Sequence, residues 1–217
     1  MDIEIIEMAE RKGVFILRNS SPAMANSLRR TMLSDIPKMA IDKVEFHLGP
    51  IMVDDKEYES VTPLFDEIVA HRLGMVPVPT DHQLFGYKEN CVCGGEGCPS
   101  CTLMYSLNKI GPCTVMSGDM VPLGNSDLKV KDEFIPIVEL TDGQAVLIYA
   151  TAIMGTAKKH VKWQAAFGVG YKYMDDDKTF YFKFETDGSL TAQQVLDKAL
   201  EILASESNDM LSQIEGL

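Results

Sequence analysis

The apolar positions change period along the chain, and each change marks an element. Ile3 and Ile5, then Val14 and Ile16 followed by Arg18, alternate and predict two short strands with Gly13 at the turn between them. The segment SSPAMANSLRRTMLSDIP then places Met24, Leu28 and Met32 at four-residue spacing. Ser20 or Ser21 can cap it, Pro22 suits the first helical position and Pro37 forbids continuation, so a helix of about three turns is expected. In AIDKVEFHL, Ile41, Val44, Phe46 and Leu48 predict a strand. In TPLFDEIVAHRLG, residues 62–74, Thr62 is a candidate cap with Pro63 at the first helical position. Asp66 and Glu67 suit the helix dipole, Leu64, Ile68, Val69 and Leu73 form a stripe, and Gly74 stops the helix.

Residues 75–135 gather prolines, glycines and cysteines, and predict loops and short strands around a local centre. IPIVEL, Asp142-Gly143 and QAVLIYATAIM predict a strand, a tight turn and a longer strand. Val169, Tyr171 and Tyr173, then Phe180, Phe182 and Phe184, alternate on either side of MDDDK and predict a hairpin with a solvated acidic loop. Thr191 with Gln194 three residues on is a capping-box pattern opening the longest helix. Leu196, Leu200, Leu203, Met210 and Ile214 run along it, interrupted at Ser207. Val195, Ala199 and Ile202 widen this stripe beyond the roughly 100° a surface helix needs, so part of the face is expected to meet another chain.

Composition narrows the class. A length of 217 residues allows one large domain or two small ones, and 46% apolar with 24% charged residues excludes wholesale disorder. No apolar run reaches the roughly 20 residues of a membrane helix. MDIEIIEMAERKG lacks the basic and apolar regions of a signal peptide, so the expected compartment is the cytoplasm. Thirty-two acids against 20 bases give a net charge of −12, which repels phosphate and opposes a free-standing nucleic-acid module. The charge still permits a place inside a nucleic-acid machine, away from the template.

Four of the five cysteines lie within residues 91–101 as C-x-C-x4-C-x2-C, namely Cys91, Cys93, Cys98 and Cys101. Two close pairs joined by a loop with Gly94, Gly95 and Gly97 can wrap four thiolates around one tetrahedral ion. Such a site leaves no open coordination position, so one structural zinc ion is expected; an iron–sulfur cluster is the rival, since it also takes four thiolates. Cys113 stands apart and is expected to be a buried small hydrophobe. The deaminase signature is missing: Gly97, not proline, precedes Cys98, and no histidine is followed by x-Glu. No zincin, phosphate-loop, dinucleotide-binding or nucleophile-elbow motif occurs either.

Two basic islands break the acidic background. Arg29 and Arg30 point about 100° apart on the first helix, one flanking the stripe and one facing out. Lys158, Lys159, His160, Lys162 and Trp163 form the other, able to face an acidic partner surface or nucleic acid.

Four segments in one order carry a resemblance. ANSLRRTMLSDIP (25–37), PLFDEIVAHRLGMVPV (63–78), GTAKKHVKW (155–163) and FKFETDGSLTAQQVLDKAL (182–200) resemble the D family of archaeal RNA polymerase subunits, counterparts of the third-largest eukaryotic polymerase subunit and of the bacterial α N-terminal domain. The resemblance implies an α+β, two-subdomain RNA polymerase alpha-like fold. Residues 1–39 and 155–217 would form a discontinuous dimerisation domain, and 40–154 an inserted mostly-β domain carrying the zinc loop at 91–101. It also implies a non-catalytic assembly subunit that pairs with subunit L, then assembles with subunits N and P and the second-largest, B-type catalytic subunit. DNA would be met only through the complex, where nucleotidyl transfer resides on other chains. Arg29, Arg30, the Lys158–Trp163 stretch, Leu196, Leu200, Leu203 and Met210 would face partners. Many archaeal relatives carry a ferredoxin-like insertion with iron–sulfur cysteines where this chain has only MDDDK, and Ala157-Lys158 stands where relatives often read Gly-Lys. The competing readings are a free-standing zinc-bearing nucleic-acid-binding module, opposed by the charge, and a metal-dependent hydrolase or deaminase, which lacks its His or Glu.

Overall fold

Distant parts of the chain share one sheet in the computed structural model, which describes residues 1–53, 55–174 and 177–216. β1 (Asp2–Met8) pairs antiparallel with β2 (Lys12–Arg18), β2 with β12 (Phe180–Thr186), and β12 with β11 (Ala166–Tyr173). Phe15 lies opposite Phe182 in the ladder, their rings stacked with centroids 4.8 Å apart, and Phe184 meets Phe15 edge-on. The helices α1 (Pro22–Ser34) and α3 (Ala192–Glu215) pack against each other, α1 also on β11 and α3 on β12 and β2. Phe15, Leu17, Leu28, Met32, Phe180, Phe182, Phe184, Val195, Leu196 and Ala199 form their shared core. These elements make one compact unit, Met1–Lys38 with Thr156–Leu217; the second unit is Met39–Gly155.

The ends of α1 and α3 follow the chemistry of their sequences. Ser21 accepts from the Met24 amide at the start of α1. Thr191 and Gln194 close a full capping box on α3. Helix α3 runs unbroken through Ser207, whose hydroxyl donates back to the Leu203 carbonyl. Gly13 is not the hairpin turn. It lies in β2, where a methyl group on it would sit 2.2 Å from the Phe184 ring; glycine is there because an aromatic ring covers the backbone. Asp175 and Asp176 of the expected acidic loop lie outside the described residues.

The second unit holds a four-stranded sheet ordered β3 (Lys38–Phe46), β10 (Ala145–Gly155), β6 (Thr102–Ile110) and β8 (Val121–Pro122). A two-stranded sheet pairs β7 (Cys113–Met116) with β9 (Pro136–Leu140), and a small one pairs β4 (Ile51–Val53) with β5 (Lys56–Tyr58). α2 (Asp66–Met75) packs on β9. Tyr105 is fully buried, donating its hydroxyl to the Leu128 carbonyl at 2.7 Å, and burial raises its pKa.

Several expectations change in this unit. The helix begins at Asp66 rather than Pro63, because the Thr62 hydroxyl is spent on the Leu64 carbonyl and no side chain caps Phe65; it ends at Met75, one residue past Gly74. Its buried positions are Val69 and Leu73, while Ile68 is 42% exposed. The turn at Asp142-Gly143 exists, with Gly143 at φ 80°, but it joins strands of different sheets, since β9 pairs with β7 and β10 with β6. The nine-residue β6 turns Leu103, Tyr105 and Leu107 inward in strand alternation, within the span expected to hold loops and only short strands. Cys113 is half-buried rather than buried, its thiol donating to the Ile110 carbonyl at 3.3 Å.

Candidate functional site

The cysteine loop hangs between a 3₁₀ turn at Lys88–Asn90 and the start of β6. The Gly94 amide donates to the Cys91 carbonyl, and the Cys101 and Thr102 amides both donate to the Cys98 carbonyl, giving two tight turns that present one cysteine pair each. Gly94, Gly95 and Gly97 have φ of 67°, 85° and 107°, values open to glycine at little steric cost. The turns bring Cys91, Cys93, Cys98 and Cys101 together, with all four sulfurs within 4.8 Å of one another.

The sulfur spacing fits one tetrahedral ion. A zinc–sulfur bond of about 2.3 Å requires sulfurs about 3.8 Å apart. Here Cys91 and Cys98 are 3.5 Å apart, Cys93 and Cys101 3.7 Å, and Cys98 and Cys101 3.8 Å. The thiols are also prepared unequally. The Gly97 amide, with help from the Gly95 amide, lowers Cys93 to about 6, whereas burial pushes Cys101 up to about 12. The Cys101 thiolate needs a positive charge beside it, which a divalent ion supplies.

The first unit carries a second feature. An apolar groove of about 460 Å³ is lined by Met1, Ile3 of β1, Met24 and Leu28 of α1, and Leu200, Leu203, Ala204 and Ser207 of α3. Leu196 is 2% exposed and belongs to the unit's own core, Leu200 and Leu203 are half-buried at the groove, and Met210, Leu211 and Ile214 are exposed further along α3. The groove residues on β1 and α1 read as core in the sequence; their spacing is the same for a core and for a shared face.

The basic islands lie close in space. Arg29 is half-buried and donates to Asn26, Arg30 is exposed, and Lys158 pairs at 2.6 Å with Asp35, the residue that ends α1. Trp163 is 1% exposed, so the surface here is made by the cations above it: Lys162 and Lys159 stand 4.3 and 5.1 Å from its ring centroid. His160 turns its Nδ1 to the Lys162 amide. Among the described residues no helix is long and apolar enough to cross a membrane.

Residues 14–206 match the RNA polymerase Rpb3/Rpb11 dimerisation domain, and the chain belongs to that family. It is 38% identical to DNA-directed RNA polymerase subunit Rpo3 of Picrophilus torridus, across 98% of this chain and 99% of the relative. It is 40% identical to the Rpo3 of Thermoplasma volcanium, over 94% and 95% of the two chains, and 32% identical to that of Archaeoglobus fulgidus, over 100% and 98%. The mixed α/β architecture, mostly strands with three α-helices among the described residues, agrees with an RNA polymerase alpha-like fold.

Proposed function

We propose that this chain is the non-catalytic assembly subunit of an archaeal DNA-directed RNA polymerase, in the role of its Rpo3 relatives. The nucleotidyl transfer belongs to the complex and its catalytic groups to other chains. The unit built from residues 1–38 and 156–217 is the dimerisation domain, and the unit 39–155 is the inserted domain that carries the metal loop.

The observation that carries this reading is the apolar groove between α1, α3 and β1, whose lining residues Met24, Leu28, Leu200, Leu203 and Ala204 fall in the span that matches a dimerisation domain. An acidic chain that leaves Met1, Met24, Met210, Leu211 and Ile214 more than a third exposed around one helix pair has an interface there. The small subunit L fills it, with Leu200 and Leu203 at the centre. Arg29, Arg30, Lys158, Lys159, His160 and Lys162 then face the second-largest catalytic subunit, with Trp163 supporting the two lysines above it, and subunits N and P join the same assembly. One zinc ion held by Cys91, Cys93, Cys98 and Cys101 stabilises the loop and takes no part in chemistry. The free-standing nucleic-acid module is disfavoured by the family match and by the charge of −12.

Co-expression with subunit L followed by size-exclusion chromatography tests the reading. A one-to-one complex is expected, and Leu200→Asp with Leu203→Asp abolishes it while zinc content is unchanged. A chain that stays monomeric beside subunit L contradicts it.

A further inference from the structure

Lys88 is the sole lysine or arginine between Arg72 and Lys109, in a stretch that contains the whole cysteine loop with Glu89 and Glu96. Its side chain is half-buried, yet among the described residues its ammonium makes no ion pair and no hydrogen bond. Its backbone belongs to the loop, and its side chain lies along it. The Lys88 carbonyl accepts from the Cys91 amide, and a methyl group placed on Gly97 would lie 3.7 Å from Lys88 Cε and 3.9 Å from its Nζ. The ammonium therefore rests over Gly97, the residue joining the Cys93 side of the cluster to Cys98, whose amide also donates to the Cys93 sulfur.

The charge balance of the site explains this placement. One divalent ion with four thiolates carries two net negative charges, and Glu89 and Glu96 add to the negative field around it. We infer that Lys88 is the counter-cation of the metal–tetrathiolate centre, held over Gly97 to offset its negative charge and raise its affinity for zinc. The inference rests on the metal reading above.

The test measures zinc affinity of the full chain by competition with a chromophoric chelator, after elemental analysis of the wild-type protein. Lys88→Gln is expected to weaken zinc binding about 10-fold at low salt, the lower end for groups just outside a metal's ligands. The difference should shrink towards nothing at about 1 M salt, because the interaction is a partly exposed charge effect, and Lys88→Arg should bind as the wild type does. Equal affinity of Lys88→Gln and wild type at low salt overturns the inference. So does a loss of the same size at every salt concentration, which marks a packing role. Wild-type protein holding no zinc overturns the metal reading itself, before any variant is compared.

Discussion

Lys38 and Asp187, 149 residues apart, form an ion pair whose side chains are only 5% and 12% exposed. The remaining polar positions are satisfied: Lys38 Nζ also donates to the Gln164 carbonyl, and Asp187 accepts from the Ser189 amide and hydroxyl. Lys38 is the last residue of the first segment of its unit, and Asp187 lies in the turn leading into α3. The pair therefore ties the chain's exit from the unit to the start of the helix that lines the groove.

Removing one member should cost far more than replacing both. Lys38→Met leaves a buried carboxylate unpaired and is expected to destabilise the protein by about 3 kcal/mol, whereas adding Asp187→Leu should recover most of the loss. Denaturant midpoints of the two single variants and the double variant measure this. A double-variant loss equal to the sum of the two single losses would show that the pair adds no coupling.

Gly13→Ala should be among the most damaging single-methyl changes in the chain. The new carbon would meet the Phe184 ring at 2.2 and 2.4 Å, so either the ring or β2 must move, at an expected cost of about 2 kcal/mol. Thermal unfolding checks it, and an unchanged midpoint would mean that the ring relocates freely.

A pH-dependent contribution sits in the second unit. Burial alone would raise the Asp119 pKa, but the Lys109 ammonium at 2.7 Å and the Met116 amide outweigh it and hold the carboxyl below its ordinary value. A depressed carboxyl stabilises the fold above its unfolded pKa and loses that effect as pH falls through its folded one. Asp119→Asn should thus cost about 1 kcal/mol at neutral pH and clearly less near pH 3. Parallel urea titrations at the two pH values decide it.

The basic surface gives a prediction at the level of assembly. Arg30→Ala, which touches no buried contact, should reduce incorporation into polymerase core while leaving thermal stability within about 0.5 kcal/mol. Reconstitution followed by gel filtration reads this directly. Normal incorporation of Arg30→Ala together with Lys159 and Lys162 charge removals would detach the second-largest catalytic subunit from this face.

Much of the first unit was legible because its signals are local. Ser21, Pro22, Thr191 and Gln194 are read within one turn of the helices they start, and the aromatic alternation over 180–184 needs no partner to be recognised. The cysteine site was legible for the same reason, since all four ligands fall in one short loop. The second unit was less so. Strand β6 takes its neighbours from β8 and from β10, some forty residues on, and the hydroxyl of Thr62 could cap a helix or close a turn with equal sequence support. The groove was half legible. The excess width of the α3 stripe announced an unpaired face, but which residues of β1 and α1 stay open depends on how they pack.

The sheet of the first unit also sets an order of events during synthesis. Residues 13–17 pair with residues 180–184, so this sheet closes only when the final strand has left the ribosome. The span 39–155 is complete long before, with its sheets, its core and its four cysteines in place. A nascent chain can therefore bring its four cysteines together while the groove of α1, α3 and β1 does not yet exist, and the slow, long-range pairing comes last. The order in which the residues are translated places the cysteine loop before the groove.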